Sequence, residues 1–255
     1  GGAIAGVPAG SPTPTTPTFL VRDADQNRVS GQLVEFTLLN GGSIAQAQVP
    51  SDGQGIASPG SWTVGGTVGP QQLVARVFSA PQLVATALAT VVHGPPTGVI
   101  ILAGNNQTVT AGSPAPIQPS VRLVDRFGNT ISGATLVFSP TNSQAGTVTG
   151  ATQVTDATGV ATLGGWTLGT VTGGALLHVY SGTGPPDFYG SLSALVTAGP
   201  ASQIRLVGGV VDTIYAPAGQ PLTPLEFEVS DQYGNLIGGA PVTFHRAFDQ
   251  TPDAE

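Results

Sequence analysis

One stretch of this chain is written three times, and that repetition limits what it can fold into more than any other feature. Val121 to Phe138 reads VRLVDRFGNTISGATLVF, Phe19 to Phe36 reads FLVRDADQNRVSGQLVEF, and Phe227 to Phe244 reads FEVSDQYGNLIGGAPVTF. Apolar residues alternate on both sides of a central turn. They are Phe19 and Val21, Val121 and Leu123, Phe227 and Val229 before it, then Val34 and Phe36, Leu136 and Phe138, Val242 and Phe244 after it. A spacing of two predicts strand, turn, strand in each copy: a hairpin whose four apolar side chains share one face of an antiparallel pair and form its core.

The turn residues support that reading. Asp125, Gly128 and Asn129, matched by Asp231, Gly234 and Asn235, are types that accept positive φ or fold back onto nearby backbone N–H groups. The first copy keeps Asp23 and Asn27 but has Gln26 in the glycine's place, which predicts a turn of a different type there. Gly31, Gly133 and Gly239 open the returning strands, where a kink or a close backbone approach is expected.

The register continues beyond the turn. AGSP at Ala9 to Pro12 and at Ala111 to Pro114 keeps the same offset as the repeat. Asp52, Gly53 and Gly55, SWTVG around Trp62, and Leu73 and Ala75 recur as Asp156, Gly159, GWTLG around Trp166, and Leu177 and Val179, two residues further on. A two-residue loop insertion accounts for the shift. The periodicity divides the chain into residues 1–95, 96–200 and 201–255. HGPPTG (His93 to Gly98) and AGPASQ (Ala198 to Gln203) form the junctions, which proline makes short and fairly stiff. Nothing in Gly1 to Pro8 corresponds to GVIILAG (Gly98 to Gly104), and the third unit carries only the front half of the repeat. Continuation of the natural chain in both directions is the simpler reading of these ends; completion by a strand from a neighbour is the other.

Composition agrees with an all-β chain. Glycine (37) and proline (22) are abundant, yet hydrophobic residues make up 40%, too many for a disordered polymer. The net charge is −7 and the seven cationic side chains are all arginine, scattered along the chain, so no basic patch exists to hold nucleic acid. Without lysine there is no Schiff-base chemistry and no lysine–asparagine cross-link. Without cysteine there are no disulfides and no thiolate metal ligands. No apolar run is long enough to span a membrane as a helix.

The order V-x-D-x-x-G-N-x-I-x-G-x-x-V-x-F, then T-D-x-x-G-x-A, then W-T-L-G, then a closing strand and a G-P-A junction, resembles the group 1 bacterial immunoglobulin-like domain of the invasin and intimin adhesins. The resemblance covers all of residues 96–200, most of the first unit and the front half of the third. It implies tandem immunoglobulin-like β-sandwiches in a rod-like extracellular array, with the tryptophans in the core between sheets. In such adhesins the repeats chiefly extend a terminal binding domain away from the cell.

Catalytic, cofactor and metal sites are not expected. Asp23, Asp25 and Asn27 imitate the start of a calcium loop, but its sixth and twelfth positions would be Arg28 and Val34. His93, His178 and His245 have no metal-ligand spacing, and no base is paired with a nucleophile. The residues singled out for turns and core are therefore Asp125, Gly128, Asn129, Phe138, Asp156, Gly159, Trp62, Trp166, Asp231, Gly234 and Asn235. Asp187, Phe188 and Tyr189, in the loop SGTGPPDFYG, form the candidate contact loop, since aromatics behind a proline-stiffened turn can meet a partner. The plainer reading is that they cap the sandwich or pack on the next junction.

Three functions follow as expectations: a semi-rigid surface stalk, a self-assembling filament completed by neighbouring subunits, or a glycan- or receptor-binding module. The partners would be neighbouring repeats or copies of the chain itself and a host or cell-surface ligand, with no nucleic acid and no membrane span in this segment.

Overall fold

The computed structural model describes residues 3–181, 188–207, 219–220 and 225–245. Within them the alternation of apolar and polar residues resolves into two separate apolar cores, each enclosed by two β-layers.

The first is built from β1 (Ile4–Pro8), β2 (Phe19–Leu20), β3 (Leu33–Leu39), β4 (Ser43–Ile44), β5 (Gln48–Pro50), β6 (Ile56–Ala57), β7 (Trp62–Thr63), β8 (Gly69–Val77) and β9 (Ala80–Val92). One sheet has the order β1-β9-β8-β3-β5, with β1 parallel to β9; the pairs β2-β6 and β4-β7 form the facing layer. The second is built from β10 (Pro96–Ala103), β11 (Gln107–Thr110), β12 (Ser120–Asp125), β13 (Thr135–Pro140), β14 (Thr147–Thr149), β15 (Thr152–Val154), β16 (Val160–Thr162), β17 (Gly165–Thr167), β18 (Gly173–Ser181) and β19 (Phe188–Thr197). Its main sheet runs β11-β19-β18-β13-β15, again with a parallel first pair, and β10-β12-β16 and β14-β17 face it. Strands β11 to β19 thus repeat β1 to β9 one for one, while β10 has no counterpart among the described residues of the first sandwich. Beyond the second junction, β20 (Gln203–Val207) pairs antiparallel with β21 (Glu226–Ser230), as β10 pairs with β12.

The hairpin reading of the repeated stretch is corrected here. β12 lies in one layer and β13 in the other, and so do β2 and β3. Val121, Leu123, Leu136 and Phe138 are all buried in one core, but they meet from opposite sides of it. A period of two says which side of a strand is apolar and not which strand it pairs with. After the turn only Val124 and Thr130 bridge. The chain then bends at Gly133 (φ 72), whose N–H donates to Thr155 O, and enters the opposite sheet. Open space surrounds Gly31, Gly133 and Gly239, so these glycines serve the bend and not a close approach.

Trp62 and Trp166 fill the centres of the two cores. The two-residue insertion lies between β13 and β14, where a single 3-10 turn, Ser143–Ala145, is capped by Asn142. This turn places Ala145 O 2.7 Å from Trp166 Nε1. The first sandwich crosses the same gap through Asn40, Gly41 and Gly42, all at positive φ, and Trp62 Nε1 is buried with no hydrogen-bond partner among the described residues.

Candidate functional site

The Asp-x-x-Gly-Asn turn does more than reverse the chain. In the second sandwich Asp125 Oδ1 accepts the N–H groups of Phe127 (2.8 Å) and Asn129 (2.9 Å), and Oδ2 accepts Asn129 Nδ2 (2.8 Å). Gly128 sits at φ 82 and its N–H donates to Asp125 O, closing the turn. Three further bonds leave the turn for the chain that precedes it. Gly94 N–H donates to Asp125 Oδ2 (2.8 Å), Asn129 Nδ2 donates to Gly66 O (2.7 Å), and Arg126 Nη2 donates to Gly10 O (3.2 Å). The Phe127 ring, with the Arg126 guanidinium 4.5 Å from its centroid, lies against Gly10 and Gly66 of the first sandwich. A Cβ on Gly66 would stand 2.5 Å from Phe127 Cδ1, so the close seat requires glycine.

The second junction repeats the first. Asp231 accepts the N–H groups of Tyr233 and Asn235 (both 2.9 Å), Asn235 Nδ2 (2.8 Å) and, across the junction, Gly199 N–H (2.9 Å). Asn235 Nδ2 donates to Thr170 O (2.8 Å), and Thr172 N–H donates back to Asn235 Oδ1 (3.1 Å). Thr170 occupies the position of Gly66 in the repeat. Tyr233 stands where Phe127 stands and packs on Gly112, the equivalent of Gly10; a Cβ there would meet its Cζ at 2.9 Å. Each junction is therefore a clamp: one acidic turn, one aromatic tip and one asparagine that spans two bodies.

Electrostatics keep the clamp charged. Burial works against the charge on Asp125, but the donors from Asn129, Gly94 and Phe127 outweigh it and hold the carboxyl below its ordinary range. For Asp231 burial again opposes charge, and the donors from Asn235, Gly199 and Tyr233 bring it down to about 2. Both are carboxylates at neutral pH, accepting four N–H groups each.

The first copy overturns the expectation of a different turn type. Gln26 adopts φ 69, Gln26 N–H donates to Asp23 O, and Asp23 accepts from Asp25 N–H, Asn27 N–H and Asn27 Nδ2. The geometry is that of the other two, reached with a side chain in the left-handed region. Its tip residue is Asp25 in place of an aromatic, and it is exposed.

The other singled-out residues have plain positions. Asp156 Oδ1 closes its own turn on Thr158 and Val160, and Gly159 (φ 77) passes close to Thr130 and Ile131. Phe138, Trp62 and Trp166 are core residues. Asp187 lies outside the described residues; Phe188 begins β19, and Tyr189 packs, partly buried, on the second core. Among the described residues no group of three or more His, Asp or Glu is placed to hold a metal ion. The junction role of Asp125, Asn129, Asp231 and Asn235 is invisible in the sequence, where they read as turn formers. The available signal was the aromatic at the tip, Phe127 and Tyr233, which a mere turn does not need.

No family model matches this chain, and no curated protein matches it. Solved structures do. It is similar to FdeC, an adhesin of Escherichia coli, with a TM-score of 0.47 and 20% identity over 76% of this chain and 62% of that one. It is similar to invasin, a bacterial integrin-binding protein, with a TM-score of 0.44 and 21% identity over 92% of this chain and 46% of that one. A further similarity is to domains 4–9 of the surface layer protein SbsC, at 0.32 and 18% over 86% of this chain and 31% of that one. The chain spans less than two thirds of each of these proteins. Its own fold is two β-sandwiches in tandem that share one strand order.

Proposed function

We propose that this chain is a segment of a bacterial cell-surface protein, exposed outside the cell, in which immunoglobulin-like repeats form a semi-rigid stalk. Residues 1–95 and 96–200 are two such repeats and 201–255 the front half of a third. The role is mechanical: the segment sets the reach and orientation of whatever it carries toward a host or cell-surface ligand. The observation that supports this is the clamp, built in the same register at both junctions. Domains joined by a short connector ordinarily move relative to one another unless their interface holds them. Here each connector glycine is tied to the following turn, and that turn is tied back to the preceding sandwich. A ten-residue strand such as β19 is about 33 Å long, so each repeat adds length efficiently.

The test is the distribution of distances between spin labels placed on β3 and β13 of the 255-residue protein. A stalk has a narrow distribution that broadens in the double variant Phe127→Ala, Asn129→Ala while each sandwich keeps its unfolding midpoint. A distribution already broad in the unaltered protein, or one the variant leaves unchanged, would sink the reading.

A further inference from the structure

The seat that receives the Phe127 ring is the peptide Gly65-Gly66-Thr67, and two consecutive glycines give a backbone with little conformational preference of its own. A clamp that closes on such a peptide is only as firm as whatever holds the peptide still. In the second sandwich the equivalent stretch, Gly169-Thr170-Val171, is held by main chain: Gly169 N–H donates to Gln144 O (2.8 Å) in the 3-10 turn Ser143–Ala145. The first sandwich crosses the same gap with two residues fewer. There Gly65 N–H donates instead to Gln71 Oε1 (2.8 Å), and Gln71 Nε2 donates to Thr67 O (3.0 Å). One amide thus grips the residues on both sides of Gly66, on which Phe127 packs and whose carbonyl accepts Asn129 Nδ2. Gln71 lies on β8 with its side chain turned inward, 1% exposed, at the register position that Ala175 holds in the second sandwich. A long polar side chain at a core position is costly unless its polar end is bonded, and here oxygen and nitrogen both are.

We propose that Gln71 is the positioning residue of the first junction: from inside the sandwich it fixes the Gly66 peptide, and through that peptide the direction in which the second sandwich leaves. The 3-10 turn performs the same task for the second junction. The inference rests on the stalk reading and deepens it, by locating what keeps the seat of the clamp in place. Gly65 presents a donor and Thr67 an acceptor, so only a group with one of each can bridge them. Glutamate at this position keeps the first bond but sets a carboxylate against Thr67 O. Leucine keeps most of the volume and makes neither bond, which frees the seat.

The experiment uses the 255-residue protein with spin labels on β3 and β13, and adds exchange of the Asn129 side-chain amide protons and the unfolding midpoint of the first sandwich. In Gln71→Leu the narrow distance distribution of the unaltered protein broadens about twofold or more. The Asn129 amide protons exchange about tenfold faster or more. Val77→Ala, which opens a cavity at the opposite end of β8, lowers the midpoint but moves neither readout. A chimera carries Gln71→Ala and, in place of Gly41, the tripeptide Ser-Gln-Ala of Ser143–Ala145; it recovers both readouts, and it decides the matter if Gln71→Leu does not fold. A narrow distribution that Gln71→Leu leaves narrow, equal broadening by Val77→Ala, or a chimera that stays broad would overturn this proposal and leave the stalk standing. A distribution already broad in the unaltered protein would overturn both.

Discussion

Trp62 and Trp166 occupy equivalent positions, yet replacing each with phenylalanine should have unequal consequences. Both indoles are essentially buried, at 0% and 1% exposure, so the two substitutions remove the same apolar volume from similar cores. That shared loss cancels when the variants are compared. What differs is the indole N–H. Trp166→Phe removes the donor to the carbonyl of Ala145, a buried residue, and leaves that carbonyl without its bond, at about 1–3 kcal/mol. Trp62→Phe removes a buried N–H that has no partner among the described residues and relieves a penalty of the same order. The second sandwich should therefore lose at least about 2 kcal/mol more than the first. For domains near one hundred residues that is a further drop of about 8–16 °C in midpoint. Scanning calorimetry measures the two transitions, and hydrogen exchange in β8 and β18 assigns each to its sandwich. Equal drops, or a larger one for Trp62→Phe, would refute the claim that the bond to Ala145 O sets the two tryptophans apart.

Two other perturbations follow from the turns. Gln26→Gly should stabilise the first sandwich by about 1 kcal/mol in urea denaturation, because Gln26 holds φ 69 where a side chain is strained; no change would mean the strain is absent. The junction should also respond to acid. Asp125 and Asp231 have carboxyl pKa values depressed in the folded chain, so their contribution is complete above the ordinary carboxylate pKa of about 3.9 and disappears as pH falls through the folded values, about 2 for Asp231. Small-angle scattering should show one constant particle length from pH 7 to 5 and shortening only below about pH 4; bending that begins near pH 6 would contradict the assignment.

Much of the fold was legible, for identifiable reasons. Three copies of one stretch in a constant register, with AGSP, the Asp-Gly turn and the tryptophan strand in fixed order, leave few alternatives to repeated sandwiches. The apolar set Val121, Leu123, Leu136 and Phe138 was read correctly as core. Its arrangement was not, since alternation marks a face and the partner strand is chosen by long-range pairing that only the closed sandwich decides. The insertion was countable in the sequence but its purpose was not, because a bond from Trp166 to Ala145 links residues twenty-one apart. Gln26 was misjudged because a glycine preference is a matter of roughly 1–2 kcal/mol, which three hydrogen bonds to Asp23 offset. The clamp escaped notice because half of it consists of backbone carbonyls and bare glycines on another body, which carry no side-chain signature.

The chemistry of the turn explains why aspartate and asparagine are not interchangeable within it. The first position faces only donors, so an ionised carboxylate, which accepts and never donates, suits it, and an amide there would point its NH2 at other N–H groups. The fifth position must donate twice, to the aspartate of its own turn and to a carbonyl across the junction, which Asn129 and Asn235 do with Nδ2. Aspartate at that position would provide no donor and would set two carboxylates side by side. Asp23 and Asn27 keep this asymmetric pair in the first copy, and Asn27 Nδ2 bonds Asp23 Oδ2 at 3.1 Å. What the first copy lacks is the aromatic tip, replaced by Asp25, which cannot lie flat against a glycine in an apolar seat. A surface that received this turn would have to offer the same carbonyl acceptor but meet its tip with a donor or cation instead of bare backbone.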